Sequence, residues 1–354
     1  MVTMHDVARA AGVSQAAVSY AFSRPDRLSN ARREHILKIA TEIGYAGPDP
    51  AGRSLRTGQA GALGLMITDS LRDAFDDPAT ALLLKGISEV GELAEVALTL
   101  LPFPLESQQI AQGSGVLLRG AVDGFLAYAL PEGHPGMQRV LSRKLPVVLV
   151  DGPPDTGLPR VGIPDRKAAR ELAAQVLAHG HRRIGVLVDR LVPDGRAGLV
   201  SAARIASARD RVMSERLIGY AAAFDDHDGL DWSTTTIVEA GGVDHKVSTR
   251  AAEVLLDAAP VTAVIAGSDV LALATIEVAR ARGLAVPADL SVVGFDDIPS
   301  AEGAELTTIR QPLVDKGRQA ARLLLEIIDG GPGREILLPV EYVRRASLAP
   351  PRAP

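Results

Sequence analysis

Short apolar segments alternate with helical segments along most of this 354-residue chain, and this alternation constrains the fold more than any other feature. The apolar segments form two sets, ALGLMIT, EVALTLL, VDGFLAY and LPVVLVD, then RIGVLVD, STTTIVEA, TAVIAGS and LSVVGFDD. The helical segments include residues 79–94, 135–144, 214–226, 245–258 and 269–283. Short strands that alternate with helices are typical of parallel sheets. The sequence therefore predicts two parallel-sheet, Rossmann-like α/β units, with a ligand cleft between them at the carboxyl ends of the strands.

The first 46 residues have a different, all-helical pattern. Thr3 and Asp6 have the spacing of a capping box, and Ser14 suits the N-cap of a second helix. Gly12, between these helices, can adopt the positive φ of a tight turn. Ser29 and Asn30 are candidate caps of a third helix. The apolar residues with which this third helix covers the other two are Ile36, Leu37, Ala40 and Ile43.

The second predicted helix has two distinct faces. Val18, Ala21 and Phe22 recur at helical spacing and face a core. The residues of the opposite face, near the helix start, are Gln15, Ala16, Ser19 and Tyr20. Two short helices joined by a tight turn and covered by a third form a helix-turn-helix, which presents such a face to the major groove of DNA. The alternative is a small helical domain with no nucleic-acid partner.

Residues 46–61, AGPDPAGRSLRTGQAG, are rich in Pro and Gly and are typical of a linker. Asp49 suits an N-cap and Pro50 the first position of a helix, so residues 50–56 predict about two helical turns. So short a helix is unstable alone in water and should form only when something holds it.

Charge is divided unevenly along the chain. Residues 1–60 contain eight Lys or Arg and five Asp or Glu, a net charge of +3, whereas the whole chain carries −5. A basic N-terminal region suits contact with phosphates, because neutralising them releases counterions. The chain has no cysteine, no apolar run of membrane-spanning length and no signal peptide at MVTMHDVARA, so we expect a cytoplasmic protein without membrane contact.

The sequence contains no recognisable catalytic motif. It lacks GxGxxG after a strand, GxxxxGK[ST] and GxSxG, so we expect no cofactor and no enzymatic activity. His179 and His181 fall at the predicted end of a helix, where a structural role is favoured over metal binding. Asp296 and Asp297 follow a strand, where we expect them to organise a turn.

Over essentially its whole length, the chain resembles the lactose-repressor (LacI/GalR) family of bacterial transcription factors. The resemblance rests on segments that occur in the family's order. These segments are DVARAAGVSQAAVS (6–19), GY (44–45), PDPAGRSL (48–55), GHRRIG (180–185), RLIGY (216–220), SVVGFDD (291–297) and LTTIRQP (306–312).

The resemblance implies a helix-turn-helix head, a hinge helix and a periplasmic-binding-protein-like core, in a homodimer that binds near-palindromic operators. Gln15 and Ala16 match the family's main specificity positions, and Leu55 matches a hinge leucine that wedges into the minor groove. The other positions for which it implies DNA contact or support of it are Thr3, Ser14, Ser19, Tyr20, Asn30, Arg33 and Arg53.

Three departures from the family pattern affect these expectations. Tyr20 replaces an arginine and loses its bidentate contact to guanine, so it either reads a base or packs on a sugar or methyl group. Gly52 replaces the hinge alanine, which costs roughly 1 kcal/mol of helix propensity. The family's NPFF after the first core strand is absent, and residues 69–80 are DSLRDAFDDPAT instead.

In the core, the resemblance implies that Asp165, Arg216 and Asp269 bind a small effector. Phe75 is a candidate for stacking on it, although a lone aromatic residue in a loop is as often packing. The expected divisions are a head at 1–47, a hinge and linker at 48–60 and a core at 61–354. Within the core, the expected subdomains are 61–180 with 311–330, and 181–310 with 331–348, and the crossings between them are expected near 180, 295 and 311.

These features predict a dimeric regulator, of repressor type, whose affinity for DNA is set by a small molecule such as a sugar. The coupling requires the effector to bind one conformational state better than the other, and both induction and corepression satisfy this condition. The alternatives are a solute-binding protein without DNA activity and an α/β enzyme with an added helical domain.

Overall fold

The computed structural model describes residues 2–23, 25–47, 58–67, 71–102, 120–227 and 229–352. The chain divides into two compact units, Met1–Gly61 and Ala62–Pro354, which we call the head and the core. Arg53, Leu55 and Gly52 lie outside the described residues, as does the short helix expected over residues 50–56.

Within its described residues, the head contains three α-helices, α1 (Met4–Ala10), α2 (Gln15–Ser23) and α3 (Asn30–Glu42). Thr3 and Asp6 form the predicted capping box, and Gly12 turns the chain between α1 and α2 with a φ of +63°. The small core of the head is built from buried apolar residues of all three helices, among them Val7, Val18, Ala21, Ile36 and Ala40. The all-helical head predicted from the sequence is therefore confirmed.

The first lobe of the core is built on a six-stranded sheet. Its strands are β1 (Ala62–Ile67), β2 (Ala97–Pro102), β3 (Gly124–Tyr128), β4 (Val147–Val150), β5 (Arg160–Gly162) and β12 (Glu335–Leu337). They are parallel and have the order β12-β5-β4-β3-β1-β2. The helices of this lobe are α4 (Leu71–Asp76), α5 (Pro78–Leu93), α6 (Pro135–Ser142) and α13 (Leu313–Ile328).

The second lobe has a five-stranded sheet and a two-stranded ribbon. The sheet contains β6 (Ile184–Val188), β7 (Gly198–Leu199), β8 (Thr236–Glu239), β9 (Ala263–Ala266) and β10 (Ser291–Val293). Its order is β10-β9-β6-β8-β7, with β7 antiparallel to β8, and the ribbon pairs β11 (Thr308–Arg310) with β13 (Glu341–Val343). The helices of this lobe are α7 (Asp165–Ala178), α8 (Ala202–Ala206), α9 (Arg211–Asp225), α10 (His245–Ala258), α11 (Asp269–Ala281) and α12 (Pro299–Gly303).

Every strand expected from the apolar segments is present, and the two parallel-sheet units are confirmed. The central strands β3, β4, β6 and β9 are almost completely buried, because helices cover both faces of a parallel sheet. Such strands have continuous rather than alternating apolar sequences, which is why they were visible in the sequence.

In the described residues, the chain crosses between the lobes at three places. These are the connection from β5 to α7, the segment around Gln311, and the connection from β12 to β13. The crossing expected near 311 agrees with the structure, but those expected near 180 and 295 do not. The helix α7 packs on α9 of the second lobe, so the first crossing precedes residue 165. Strand β12 pairs with β5, so residues 335–337 belong to the first lobe rather than the second.

Close helix contacts within each lobe depend on glycine. Gly317 of α13 lies against α5, where an added Cβ atom would come within 2.2 Å of the Leu83 carbonyl oxygen. Gly219 of α9 lies against α7 in the same way, 2.3 Å from the Arg166 carbonyl oxygen. None of the helices in the described ranges is long and apolar enough to cross a lipid bilayer.

Candidate functional sites

The helix α2 presents its predicted face to solvent. Val18 and Ala21 on the opposite side are fully buried, which fixes the rotation of the helix. The residues on the outer side, exposed or partly exposed, are Gln15, Ala16, Ser19 and Tyr20. The Nε2 atom of Gln15 lies 2.8 Å from Nδ1 of His5, so a residue of α1 helps to position this side chain. The outer face of α2 thus carries amide, hydroxyl and phenol groups, which are able to hydrogen-bond to base edges and phosphates.

Other predicted DNA-contacting residues also hold the head together. The Ser14 hydroxyl oxygen accepts a hydrogen bond from the Ala17 N–H at 3.2 Å and so caps α2. The Arg33 Nε donates to the Ala21 carbonyl oxygen at 3.2 Å, which ties α3 to α2. Thr3 caps α1, while Asn30 is exposed at the first position of α3. Ser14 and Arg33 therefore hold α2 in place, and Thr3 stabilises α1.

A cavity opens in the core between the carboxyl ends of the strands of both lobes. The first lobe contributes the polar side chains Asp77, Thr80, Tyr128 and Asp151. The second lobe contributes Asp189, Arg190, Asp210, Arg216, Ser268 and Asp296. We call this space the cleft cavity. Its position agrees with the cleft predicted from the sequence, since parallel α/β sheets bind ligands at this edge.

Arg216 is a buried and extensively bonded side chain of the cleft cavity. It is 4% exposed, and its Nε donates to Asp165 Oδ1 at 3.0 Å. Its Nη1 donates to the Gly267 carbonyl oxygen at 2.5 Å and lies 3.7 Å from Asp296 Oδ1. The guanidinium also stacks on the Phe295 ring at 3.6 Å from the centroid. Burial opposes its charge, but Asp165 and Asp296 outweigh burial and raise the pKa of Arg216 above its ordinary value.

The other three predicted effector residues lie off the wall of the cleft cavity. Asp165 lies behind Arg216, and burial raises the pKa of its carboxyl in spite of the neighbouring guanidinium. Asp269 is fully buried, and its oxygens accept hydrogen bonds from the Thr308 hydroxyl at 2.6 Å and the Ile298 N–H at 3.0 Å. Asp269 thus joins α11 to β11 and to the start of α12. Phe75 is 60% exposed on α4 and does not line the cavity, although the adjacent Ala74 does.

Asp296 is a candidate functional residue that was not predicted from the sequence. It was expected only to organise a turn, and the turn is real, since Asp296 has a φ of +124°. The same turn directs its carboxylate into the cleft cavity beside Arg216. Burial raises the pKa of Asp296 well above its ordinary value. The signal that could have identified it is its place three residues after the end of the parallel strand β10, at the edge of the sheet where ligand-binding residues cluster.

A chain of buried polar groups runs from Asp296 into the first lobe. Gln311 Nε2 donates to Asp296 Oδ1 at 2.5 Å, while Lys316 Nζ donates to Gln311 Oε1 at 2.6 Å. Lys316 also donates to both carboxylate oxygens of Asp151, at 2.9 and 2.7 Å. Because Gln311 lies where the chain crosses between the lobes, this chain connects the two walls of the cleft cavity through its hinge.

Asp189 directly follows β6 and lines the cleft cavity on the side of the second lobe. Its Oδ1 accepts a hydrogen bond from the Ser268 hydroxyl at 2.8 Å. Burial raises the pKa of Asp189 to about 7, and the nearby charges of Asp210 and Asp77 act in the same direction, against that of Arg216. Asp189 is therefore a carboxyl group that changes its protonation state near neutral pH.

Comparisons with known proteins agree with both sites. Residues 3–47 match the model of bacterial regulatory proteins of the lacI family, and residues 173–348 match a periplasmic binding protein-like domain. The chain is 41% identical to HTH-type transcriptional regulator Rv3575c of Mycobacterium tuberculosis over 353 residues, which cover 99% of this chain and 97% of the relative.

Solved structures support the same assignment. The complex of the transcriptional regulator CelR with cellobiose is 27% identical, with a TM-score of 0.69 over 98% of this chain and 100% of CelR. The lac repressor dimer bound to operator and the anti-inducer ONPF is 23% identical and shares the fold, with a TM-score of 0.78 over 98% of this chain and 99% of that one. The chain therefore belongs to the LacI family and is a DNA-binding transcriptional regulator controlled by a ligand.

Proposed function

We propose that this protein is a cytoplasmic repressor, active as a homodimer on a near-palindromic operator, whose DNA affinity is set by a sugar or related polyhydroxyl compound. The observation that carries the proposal is the coexistence of two sites in one chain. The head exposes Gln15 and Tyr20 on α2, and the core holds Arg216 and Asp296 at a cavity between two lobes. CelR, of the same family, is described in complex with cellobiose.

The chemistry of the cleft cavity suits a hydroxylated ligand. Carboxylates accept hydrogen bonds from hydroxyl groups, and arginine N–H groups donate to them. Asp296 and Arg216 offer both functions side by side. We propose that the protein binds its effector without transforming it. We also place Asp296 among the effector-binding residues, together with Arg216, and give Asp165 the role of positioning Arg216.

Selection of bound duplexes from a random DNA library by the full-length protein tests the proposal. We expect enrichment of a near-palindrome whose binding weakens steeply as salt rises, since phosphate contacts release counterions. Gln15→Ala should change the enriched sequence. The matched control is Gln138→Ala, an exposed glutamine on α6 of the core, which should leave the sequence unchanged.

A solute-binding protein without DNA activity is the second candidate, favoured by the core alone. This candidate predicts that no DNA sequence is enriched at low or at high salt, while ligand binding remains intact. That outcome would overturn the proposed repressor function. Enrichment of one sequence by both the protein and its Gln15→Ala variant would remove α2 from sequence recognition.

A further inference from the structure

Three helix N-termini converge on the cleft cavity. The helix α5 comes from the first lobe, and α9 and α11 come from the second. The residues that immediately precede them, Asp77, Asp210 and Ser268, all line the cavity. A helix N-terminus carries partial positive charge and unpaired N–H groups, and it is a ready binding site for phosphate and other anions.

In this chain, its own side chains occupy all three of these N-termini. Asp77 accepts hydrogen bonds from the Ala79 and Thr80 N–H groups, both at 3.1 Å. Asp210 accepts from the Met213 N–H at 3.1 Å.

The N-terminus of α11 is filled by a neutral cap with a carboxyl group behind it. The Ser268 hydroxyl oxygen accepts a long hydrogen bond from the Leu271 N–H at 3.5 Å. The same hydroxyl donates to Asp189. A carboxyl group therefore lies at or directly behind each of these three helix N-termini.

The wall of the cleft cavity has an excess of acidic groups. Among the described residues that line it, five are aspartates and two are arginines. The ion pair with Lys316 offsets Asp151, and Arg216 offsets Asp296. The other charged side chains of the described wall are Asp77, Asp189, Asp210 and Arg190.

The charges of Asp77 and Asp210 also act on the neighbouring Asp189. Burial is the main cause of its raised pKa, and the charges of Asp77 and Asp210 add to it. A second anion in the same space would meet the same repulsion.

We propose that the cleft cavity selects an uncharged polyhydroxyl effector and rejects its phosphorylated analogues, with Asp77 and Asp210 as the residues that determine this selectivity. The inference rests on the proposed function of the cavity as the effector site. The two aspartates neutralise helix ends that would otherwise attract a phosphate, while their carboxylates accept hydrogen bonds from hydroxyl groups. Charge selectivity is thus built into the caps of α5 and α9.

The first test measures thermal unfolding of the full-length protein with a panel of neutral sugars and polyols, each beside its phosphate ester, and with inorganic phosphate. At least one neutral compound should raise the melting temperature, and its phosphate ester should raise it less or not at all. A phosphate ester that stabilises the protein more than its parent compound would overturn the proposal. The proposal would also be overturned if no neutral sugar or polyol in the panel raised the melting temperature.

The second test removes the charges but keeps the caps. Asparagine is as good an N-cap as aspartate, so Asp77→Asn with Asp210→Asn should leave α5 and α9 capped. This variant should bind inorganic phosphate at least tenfold more tightly than the original protein. Unchanged phosphate affinity in a folded variant would overturn the proposal. If the pair fails to fold, Asp77→Ser with Asp210→Ser provides the same loss of charge with a smaller cap.

The matched control changes two aspartates that accept backbone hydrogen bonds away from the cavity. Asp231 caps a short 3-10 turn, and Asp289 accepts a hydrogen bond from the Ala285 N–H at 2.8 Å. Asp231→Asn with Asp289→Asn should leave phosphate affinity unchanged; an equal gain would show that total charge, not the cavity caps, sets the affinity. None of these measurements uses DNA, so failure of the DNA selection and failure of this inference are distinguishable.

Discussion

Lys316 and Asp151 form a buried ion pair between α13 and the end of β4. Lys316 Nζ lies 2.9 and 2.7 Å from the two carboxylate oxygens of Asp151, and the lysine side chain is 1% exposed. The Gln311 side-chain oxygen accepts the third hydrogen bond of the ammonium group, and the Gln311 side-chain nitrogen donates to Asp296. A charge buried this deeply is tolerated only because every partner is in place.

Removal of this lysine should destabilise the core strongly. Lys316→Met leaves the Asp151 carboxylate buried without its cation, which costs about 3–5 kcal/mol in comparable cases. Urea denaturation measures the loss. Lys85→Met, which changes an exposed lysine on α5 of the same lobe, should leave the free energy of unfolding nearly unchanged. Equal effects of the two substitutions would contradict the importance of the buried pair.

Asp189 should make stability depend on pH. Its pKa is about 7 in the folded protein, against about 4 in an unfolded chain, so its ionisation destabilises the fold progressively as pH rises from 4 to 7. Asp189→Asn should therefore stabilise the protein at pH 8, by up to about 4 kcal/mol, and have little effect near pH 4.

Asp194 provides a control of opposite sign for the Asp189 experiment. Hydrogen bonds from Arg204 lower its pKa to about 2, so its ionised form stabilises the fold above pH 4. Asp194→Asn should destabilise the protein at pH 8. Denaturant unfolding measures the free energy of unfolding of both variants between pH 4 and pH 8. A change in the same direction at pH 8 for the two variants would contradict these assignments.

The contact between α5 and α13 should not tolerate a side chain at Gly317. An added Cβ atom would meet the Leu83 carbonyl oxygen at 2.2 Å, and overpacking of this kind costs about 1–3 kcal/mol. Gly303→Ala is the matched control, because open space surrounds Gly303 at the end of α12. That change should be neutral or stabilise by up to about 1 kcal/mol. If Gly317→Ala left the melting temperature unchanged, α5 and α13 would be able to move apart without loss of stability, which would contradict this prediction.

In the head, we expect Tyr20 to contribute mainly to DNA recognition and Phe22 mainly to stability. Tyr20 is 37% exposed on the outer face of α2, whereas Phe22 is partly buried, so Tyr20→Ala should destabilise the head less than Phe22→Ala does, while altering DNA selection. Phe22 packs edge-to-face on Tyr45 with ring centroids 5.7 Å apart, so Phe22→Ala should destabilise the head. Circular dichroism and DNA selection on the same samples measure the two effects. Unfolding of the head by Tyr20→Ala would assign Tyr20 to packing.

Interactions between near neighbours made several features predictable from the sequence alone. The capping box of Thr3 and Asp6, the Ser14 cap and the turn at Gly12 all depend on residues within four positions of one another. The strands of both sheets were visible because buried parallel strands have continuous apolar segments, and the outer face of α2 followed from helical spacing. These features depend on local geometry, which the order of residues determines by itself.

Only the tertiary structure decided which distant residues meet. Arg216 pairs with Asp165 and Asp296, and Lys316 pairs with Asp151. The partners in these pairs are 51 to 165 residues apart in the sequence. Asp269 was expected at the effector site, but it accepts a hydrogen bond from Thr308 of β11 instead. Asp296 lines the cavity. Strand order and helix crossings bring these groups together, and no periodicity in the sequence encodes that choice. The sequence determined the elements and the family, and packing between distant segments determined the cavity.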